Sequence, residues 1–126
     1  MGDDELVAHV RRACADLAPF VVTLGLAEYQ DHGIIWLLVR AGAREVTVLH
    51  ERLYTGPLAV HRDPRSVYVP HVTIARVALP ALPGVHRAAM ELSAAAPVEM
   101  REVVVECIGA DDQSHVIARI PLSDIG

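Results

Sequence analysis

In the stretch "YVPHVTIAR", residues 68 to 76, a histidine and a threonine stand two positions apart in an otherwise apolar run. A β-strand returns its side chains to the same face every second residue. His71 and Thr73 therefore share one face, and Val72 and Ile74 share the other. An imidazole takes or gives a proton near neutral pH, its ordinary pKa being about 6.5. A hydroxyl beside it donates a hydrogen bond to an oxygen on which charge develops. The pair is suited to acid–base chemistry. A lone histidine on an apolar strand is nevertheless most often a satisfied structural residue.

Other residues near this stretch bear on the same chemistry. Strand parity puts Arg76 with Val72 and Ile74, away from His71, unless the strand ends or bulges before it. Arg62 and Arg65, in the polar loop "HRDPRS", have the reach and the planar fork to hold a phosphate, although a loop arginine is more often simply solvated. Tyr68 has the ring to stack on a base, yet a tyrosine opening a strand is ordinary packing. Trp36 is most simply core.

The elements that position these residues alternate helix with strand. Residues 3 to 17 read as a helix, with Asp3, Asp4 and Glu5 at its start and an apolar stripe of Leu6, Val10, Cys14 and Leu17. "FVVTLGLAEY" and "GIIWLLVRAG" read as strands joined by "QDHG". "IIWLLV" is apolar on both faces, which predicts a central strand covered on both sides. A second helix spans 43 to 54 and a third 84 to 95. Two more strands come after it, "VEMREVVVECI" and "SHVIARIPL". The pattern predicts one α+β domain over residues 1–126, in the order α-β-β-α-β-α-β-β.

The unit helix, proline, strand, turn, strand occurs twice, at 3 to 41 and at 84 to 122. In the second copy a His-x-Thr strand precedes the helix. In the first copy its counterpart would lie upstream of Met1, so an N-terminal strand is expected to be missing. An edge left bare beside the first strand pair would invite self-association, with a two-fold dimer the simplest outcome.

"VPHVTIAR" resembles the second signature of the two-histidine (2H) phosphoesterase superfamily, whose best known branch is the 2′-5′ RNA ligase-like proteins. "APFVVTLGLAEYQDHGIIWLLV" is similar to the family's middle strand pair and "SHVIARIPL" to its closing strand, so that the chain corresponds to the C-terminal two-thirds of such a protein. The resemblance implies an α+β fold of two antiparallel sheet lobes with flanking helices, related by pseudo-symmetry, each with a His-x-Thr or His-x-Ser motif facing a cleft. It implies metal-free phosphodiester chemistry, without cofactor, on RNA termini or small nucleotides bearing 2′,3′-cyclic or 2′,5′ phosphates. One imidazole serves as base and the other as acid, with His71 and Thr73 as the catalytic residues here and Tyr68, Arg62, Arg65 and Arg76 as candidates to bind substrate. The chain has seven histidines, and only His71 has Thr two positions on. The alternatives are a non-catalytic module that holds a nucleotide or RNA end, and an inactive fragment.

Composition sets outer bounds. The chain has 126 residues, 52% apolar, with a net charge of -5, against a domain that holds nucleic acid by bulk positive charge. All eleven basic residues are arginine, which reads as the codon bias of a GC-rich genome. Cys14 and Cys107 form no paired motif, so neither a zinc site nor a disulfide framework is suggested. The acidic N-terminus is unlike a secretory signal and no run reaches a membrane span, so the expected location is cytoplasmic.

Overall fold

A computed structural model describes residues 1–30, 33–90 and 97–123. Its elements run α1 (Asp3–Cys14), β1 (Phe20–Val22), β2 (Leu24–Gln30), β3 (Ile34–Val39), α2 (Ala43–Leu53), β4 (His71–Arg76), α3 (Leu82–Met90), β5 (Val98–Met100), β6 (Glu102–Ile108) and β7 (Ser114–Pro121). Short 3₁₀ turns at Gly56–His61 and Leu79–Ala81 lie after α2 and before α3. The mixture of helices and antiparallel sheets is an α+β architecture. The chain divides into two compact units: Met1–Phe20, Val48–Ser66 and Glu99–Gly126 form the first, and Val21–Thr47 with Val67–Val98 the second.

In the first unit α1 lies on the hairpin β6–β7. Its acidic first turn and its last-turn Arg11 and Arg12 both suit the helix dipole. The buried core is Val10, Cys14, Val105, Ile120 and Leu122, with Leu6, Leu17, Leu49 and Leu53 packed around it. The helix stops at Cys14 rather than 17, because the Leu17 N–H turns back to the Cys14 carbonyl and Pro19 has no N–H to continue it. The β6–β7 turn is tied by the Gly109 N–H to the Gln113 carbonyl. The Gln113 N–H in turn bonds the Asp111 carboxyl at 3.0 Å and, with help from His115, holds it below the usual carboxylate range.

In the second unit β2, β3 and β4 form a three-stranded antiparallel sheet with β3 in the middle. Ala27, Ile35, Leu37 and Ala89 make its core, joined by Leu24, Ile74, Ala75, Val77, Leu82 and Val85. Ile35 is wholly buried. One face of the sheet is thus covered by α3, which is pinned by the His86 Nε2–H donating to the Ala27 carbonyl at 2.9 Å. The expectation that "IIWLLV" is covered on both sides holds for Ile35 and Leu37 only. Ile34, Trp36 and Leu38, on the opposite face, are half-buried. Gly33, at φ 80°, lets β3 begin where the Val77 N–H reaches the Gly33 carbonyl at 2.8 Å. A Cβ there would collide with the Val77 carbonyl.

Each copy of the repeat is a helix, a three-residue strand, a seven-residue strand and a return strand, of six residues in the first copy and eight in the second: α1–β1–β2–β3 and α3–β5–β6–β7. The two long strands read from the sequence are therefore each broken in two, at Thr23 and at Arg101. The third helix ends its described course at Met90, and its expected residues 91 to 95 lie outside the described residues, as do Asp31 and His32 of the "QDHG" turn. The structure also corrects which pair stands alone. β4, the histidine strand preceding the second copy, pairs with β3 of the first. It is β6–β7 that has two strands among the described residues.

Candidate functional site

Pro70 lacks an N–H, so it suits the threshold of a strand, and it biases Val69 towards extended backbone. The β-branched Val72, Thr73 and Ile74 then favour β structure. Antiparallel pairing sets His71 opposite Leu38, Val72 opposite Leu37 and Thr73 opposite Trp36. Residues opposite each other point to the same face. His71 and Thr73 therefore stand on the Trp36 face, the one α3 does not cover, and both are exposed. Ile74 packs into the core, whereas Val72, on the helix side near the strand's start, is 43% exposed.

Beyond Thr73 the register shifts: Ala75 faces Ile35 and Arg76 faces Ile34. Ile74 is the extra residue of a β-bulge, and a bulge reverses the parity of the residues after it. Arg76 is thereby turned onto the face of Ile34, Trp36, Thr73 and His71, where it is exposed. Strict alternation puts it on the other side; the bulge brings imidazole, hydroxyl and guanidinium to one surface.

The His71 ring is held from two directions. Its Nδ1 lies 2.7 Å from the Val69 carbonyl. A carbonyl can only accept, so Nδ1 carries the proton and Nε2 presents a lone pair. No hydrogen bond reaches Nε2 from the described residues. The ring also stacks on Trp36, centroids 4.0 Å apart and planes tilted by 36°. The Trp36 indole N–H points to Glu28 Oε1 at 3.4 Å, and Glu28 sits directly across from Trp36 on β2. Trp36 is thus a half-buried neighbour of His71 and no core residue. It and Glu28 escape a reading of the sequence, because their part depends on cross-strand register. The available signal is parity within "IIWLLV": Trp36 alternates with the buried Ile35 and Leu37.

The remaining candidates are placed differently. Tyr68 is half-buried just before Pro70. Arg62 and Arg65 belong to the first unit, not to the one that carries His71. Arg62 is gripped by both carboxylate oxygens of Glu51, at 2.7 and 2.8 Å. Arg65 is exposed in a loop closed by Asp63, which accepts from the Arg65 N–H and the Ser66 hydroxyl. Among the described residues no three His, Cys, Asp or Glu side chains gather as metal ligands, and no helix is long and apolar enough to cross a membrane.

No curated protein matches the chain. The family model described as "2'-5' RNA ligase superfamily" matches residues 1–107, ending before β7, so the likeness of "SHVIARIPL" lies outside it. The match takes in both copies of the helix and the whole sheet face on which His71, Thr73 and Arg76 stand: the chain belongs to the 2′-5′ RNA ligase superfamily.

Proposed function

We propose that the open face of β3–β4 is a phosphodiester site and that the protein is a metal-independent phosphodiesterase. Its substrates are RNA termini or small nucleotides carrying 2′,3′-cyclic or 2′,5′-linked phosphates. One observation carries the reading: His71 is exposed with Nδ1–H fixed to the Val69 carbonyl and Nε2 left for a reactant. As water attacks phosphorus, Nε2 takes its proton. The bond from phosphorus to the 2′ or 3′ oxygen breaks, and that oxygen must receive a proton from an acid. The Thr73 hydroxyl donates to a non-bridging oxygen, and the Arg76 guanidinium offsets charge on the phosphoryl group.

The acid is the missing role. Among the described residues no other histidine stands on this sheet face. We propose that a second copy supplies it, through a two-fold axis that sets two His71 rings across one phosphate. Hydrolysis of 2′,3′-cyclic mononucleotides by the purified chain tests the reading. Specific activity should rise with protein concentration and vanish in His71→Ala. Undetectable turnover at every concentration would overturn the enzymatic reading.

The single histidine on the face favours a second reading, a module that holds a nucleotide or RNA end without turnover. Saturable binding of a 2′,3′-cyclic nucleotide, weakened by Arg76→Gln and accompanied by no product, would support it.

A further inference from the structure

Gly25 is buried within β2, and a glycine inside a strand weakens it and often marks a close approach. Its backbone is not left-handed, unlike that of Gly33, Gly42 and Gly56, so turn geometry does not explain it. What approaches is Arg40. A Cβ on Gly25 would collide with the Arg40 Nε and stand 3.2 Å from its Cγ and Cδ. The arginine stem therefore lies across the glycine, while the residue as a whole stays exposed.

The register fixes where this happens. Leu24 faces Val39 and Ala27 faces Leu37, so Gly25 and Leu26 together oppose Leu38. Leu38 in turn faces His71 on β4. Gly25, Leu38 and His71 thus form one row across the sheet, about 10 Å from end to end at two strand spacings. Arg40 stands two residues beyond Leu38 and so returns to the open face, its N–H bonded to the Thr23 carbonyl at 2.8 Å. Among the described residues its guanidinium has no hydrogen bond or ion pair; Glu28, on the same face, accepts from Trp36 instead. His71 and Thr73 therefore lie between two arginines of the open face, Arg76 opposite Ile34 and Arg40 beyond Leu38. A phosphate held by Thr73 and Arg76 leaves Arg40 on the far side of His71, placed for a second anionic group. In a nucleotide with a 2′,3′-cyclic phosphate, that group hangs from the 5′-oxygen, across the ribose.

We propose, resting on the reading of this face as a phosphodiester site, that Arg40 is a specificity-determining residue. It holds the 5′-phosphate of the nucleotide whose cyclic phosphate meets His71. The substrate is then a 2′,3′-cyclic end that carries a second phosphate, either the internucleotide link of an RNA end or a free 5′-phosphate. The net charge of -5 acts against any ligand with an extra negative charge, so a preference for one must come from a local cation.

Trp36, the chain's one tryptophan, reports on this face by its fluorescence. The full chain is titrated with cytidine 2′,3′-cyclic phosphate, with its 5′-phosphorylated form, and with a cytidine dinucleotide ending in the cyclic phosphate. Ligands with the second phosphate should bind about tenfold or more tightly than the first, the worth of a charge-assisted hydrogen bond. Arg40→Met keeps the stem over Gly25 and removes the charge. It should erase that preference and leave the affinity for the plain cyclic nucleotide unchanged. Equal gains would identify the phosphate group itself as the part held, and a gain from the dinucleotide alone would identify the internucleotide link. Binding of all three alike, or a preference that survives Arg40→Met, overturns the role of Arg40 while the phosphodiester reading of the face stands. A response to none of them overturns both.

Discussion

The imidazole of His71 lies against the indole of Trp36, ring centroids 4.0 Å apart, and Trp36 in turn directs its N–H to Glu28. A ring held on one side by a backbone carbonyl and on its face by an aromatic has few orientations left. Such a contact is worth about 0.5 to 1.5 kcal/mol. Trp36→Leu should therefore lower kcat roughly three- to tenfold and leave KM nearly unchanged, since Trp36 acts by positioning His71. Steady-state kinetics on a cyclic nucleotide would measure both terms. A loss confined to KM would mean that Trp36 touches substrate instead.

His71→Ala removes the proposed proton acceptor and should cost about 10²- to 10⁴-fold in turnover. Thr73→Val keeps the shape and removes one donor to a charged oxygen, worth roughly 1.5 to 3 kcal/mol. Both residues are exposed, so neither change should alter folding. Equal activity in both variants and the parent would assign the hydrolysis to a contaminant.

Arg76 reaches the site face through the bulge at Ile74. Arg76→Gln should raise KM about tenfold by removing a charge-assisted contact. Deleting Ile74 is the complementary test, since it removes the extra residue while Ala75 stays opposite Ile35 and Arg76 opposite Ile34, so Arg76 keeps the site face. Binding should then survive the deletion and fall in Arg76→Gln, as read by calorimetry with a cyclic nucleotide. Unaltered binding in Arg76→Gln would show that Arg76 has no part in recognition.

Some of this is legible in the sequence, and the rest is hidden for identifiable reasons. The pairing of His71 with Thr73 on one face comes from a period of two and needs no knowledge of neighbours. The helical stripe Leu6, Val10, Cys14 is likewise local, and Val10 and Cys14 lie in the first unit's core. The side taken by Arg76 is not legible, because a bulge is a property of two strands and their register. Trp36 is misjudged for the same reason: a tryptophan in an apolar run reads as core until its cross-strand partner is known to be Thr73. The edge assignment fails because the repeat in sequence is crossed in space, β4 completing the sheet of the other copy.

The two cysteines should differ sharply in reactivity. Burial pushes the Cys14 thiol above its ordinary pKa, with Arg52 pulling weakly the other way, so at neutral pH it is neutral as well as covered. Cys107 is exposed at the end of β6. Alkylation with iodoacetamide at pH 7.5 (roughly one unit below an ordinary thiol pKa) should label one site per chain by mass spectrometry, at Cys107. A second label should enter only under denaturant. Prompt labelling of Cys14 in buffer would mean that the α1 face opens far more readily than its packing implies.

The last prediction concerns β7. Among the described residues it pairs only with β6, whereas β3, its counterpart in the other copy of the repeat, has a strand on each side. An eight-residue edge with free N–H and C=O groups is a template for another strand. The nearby Val116 and Ile108 are 51% and 74% exposed, which adds apolar surface to be covered. An antiparallel β7–β7 contact about a two-fold axis would answer both needs, since a self-complementary edge pairs most simply with a copy of itself. Sedimentation should then show a dimer at micromolar concentration. Val116→Lys should shift it to monomer, because a charge on an edge strand opposes pairing. If the dimer also supplies the second His71, the same variant should abolish the concentration dependence of activity while leaving nucleotide binding intact. A parent chain that sediments as a monomer throughout would remove both the edge contact and the shared site.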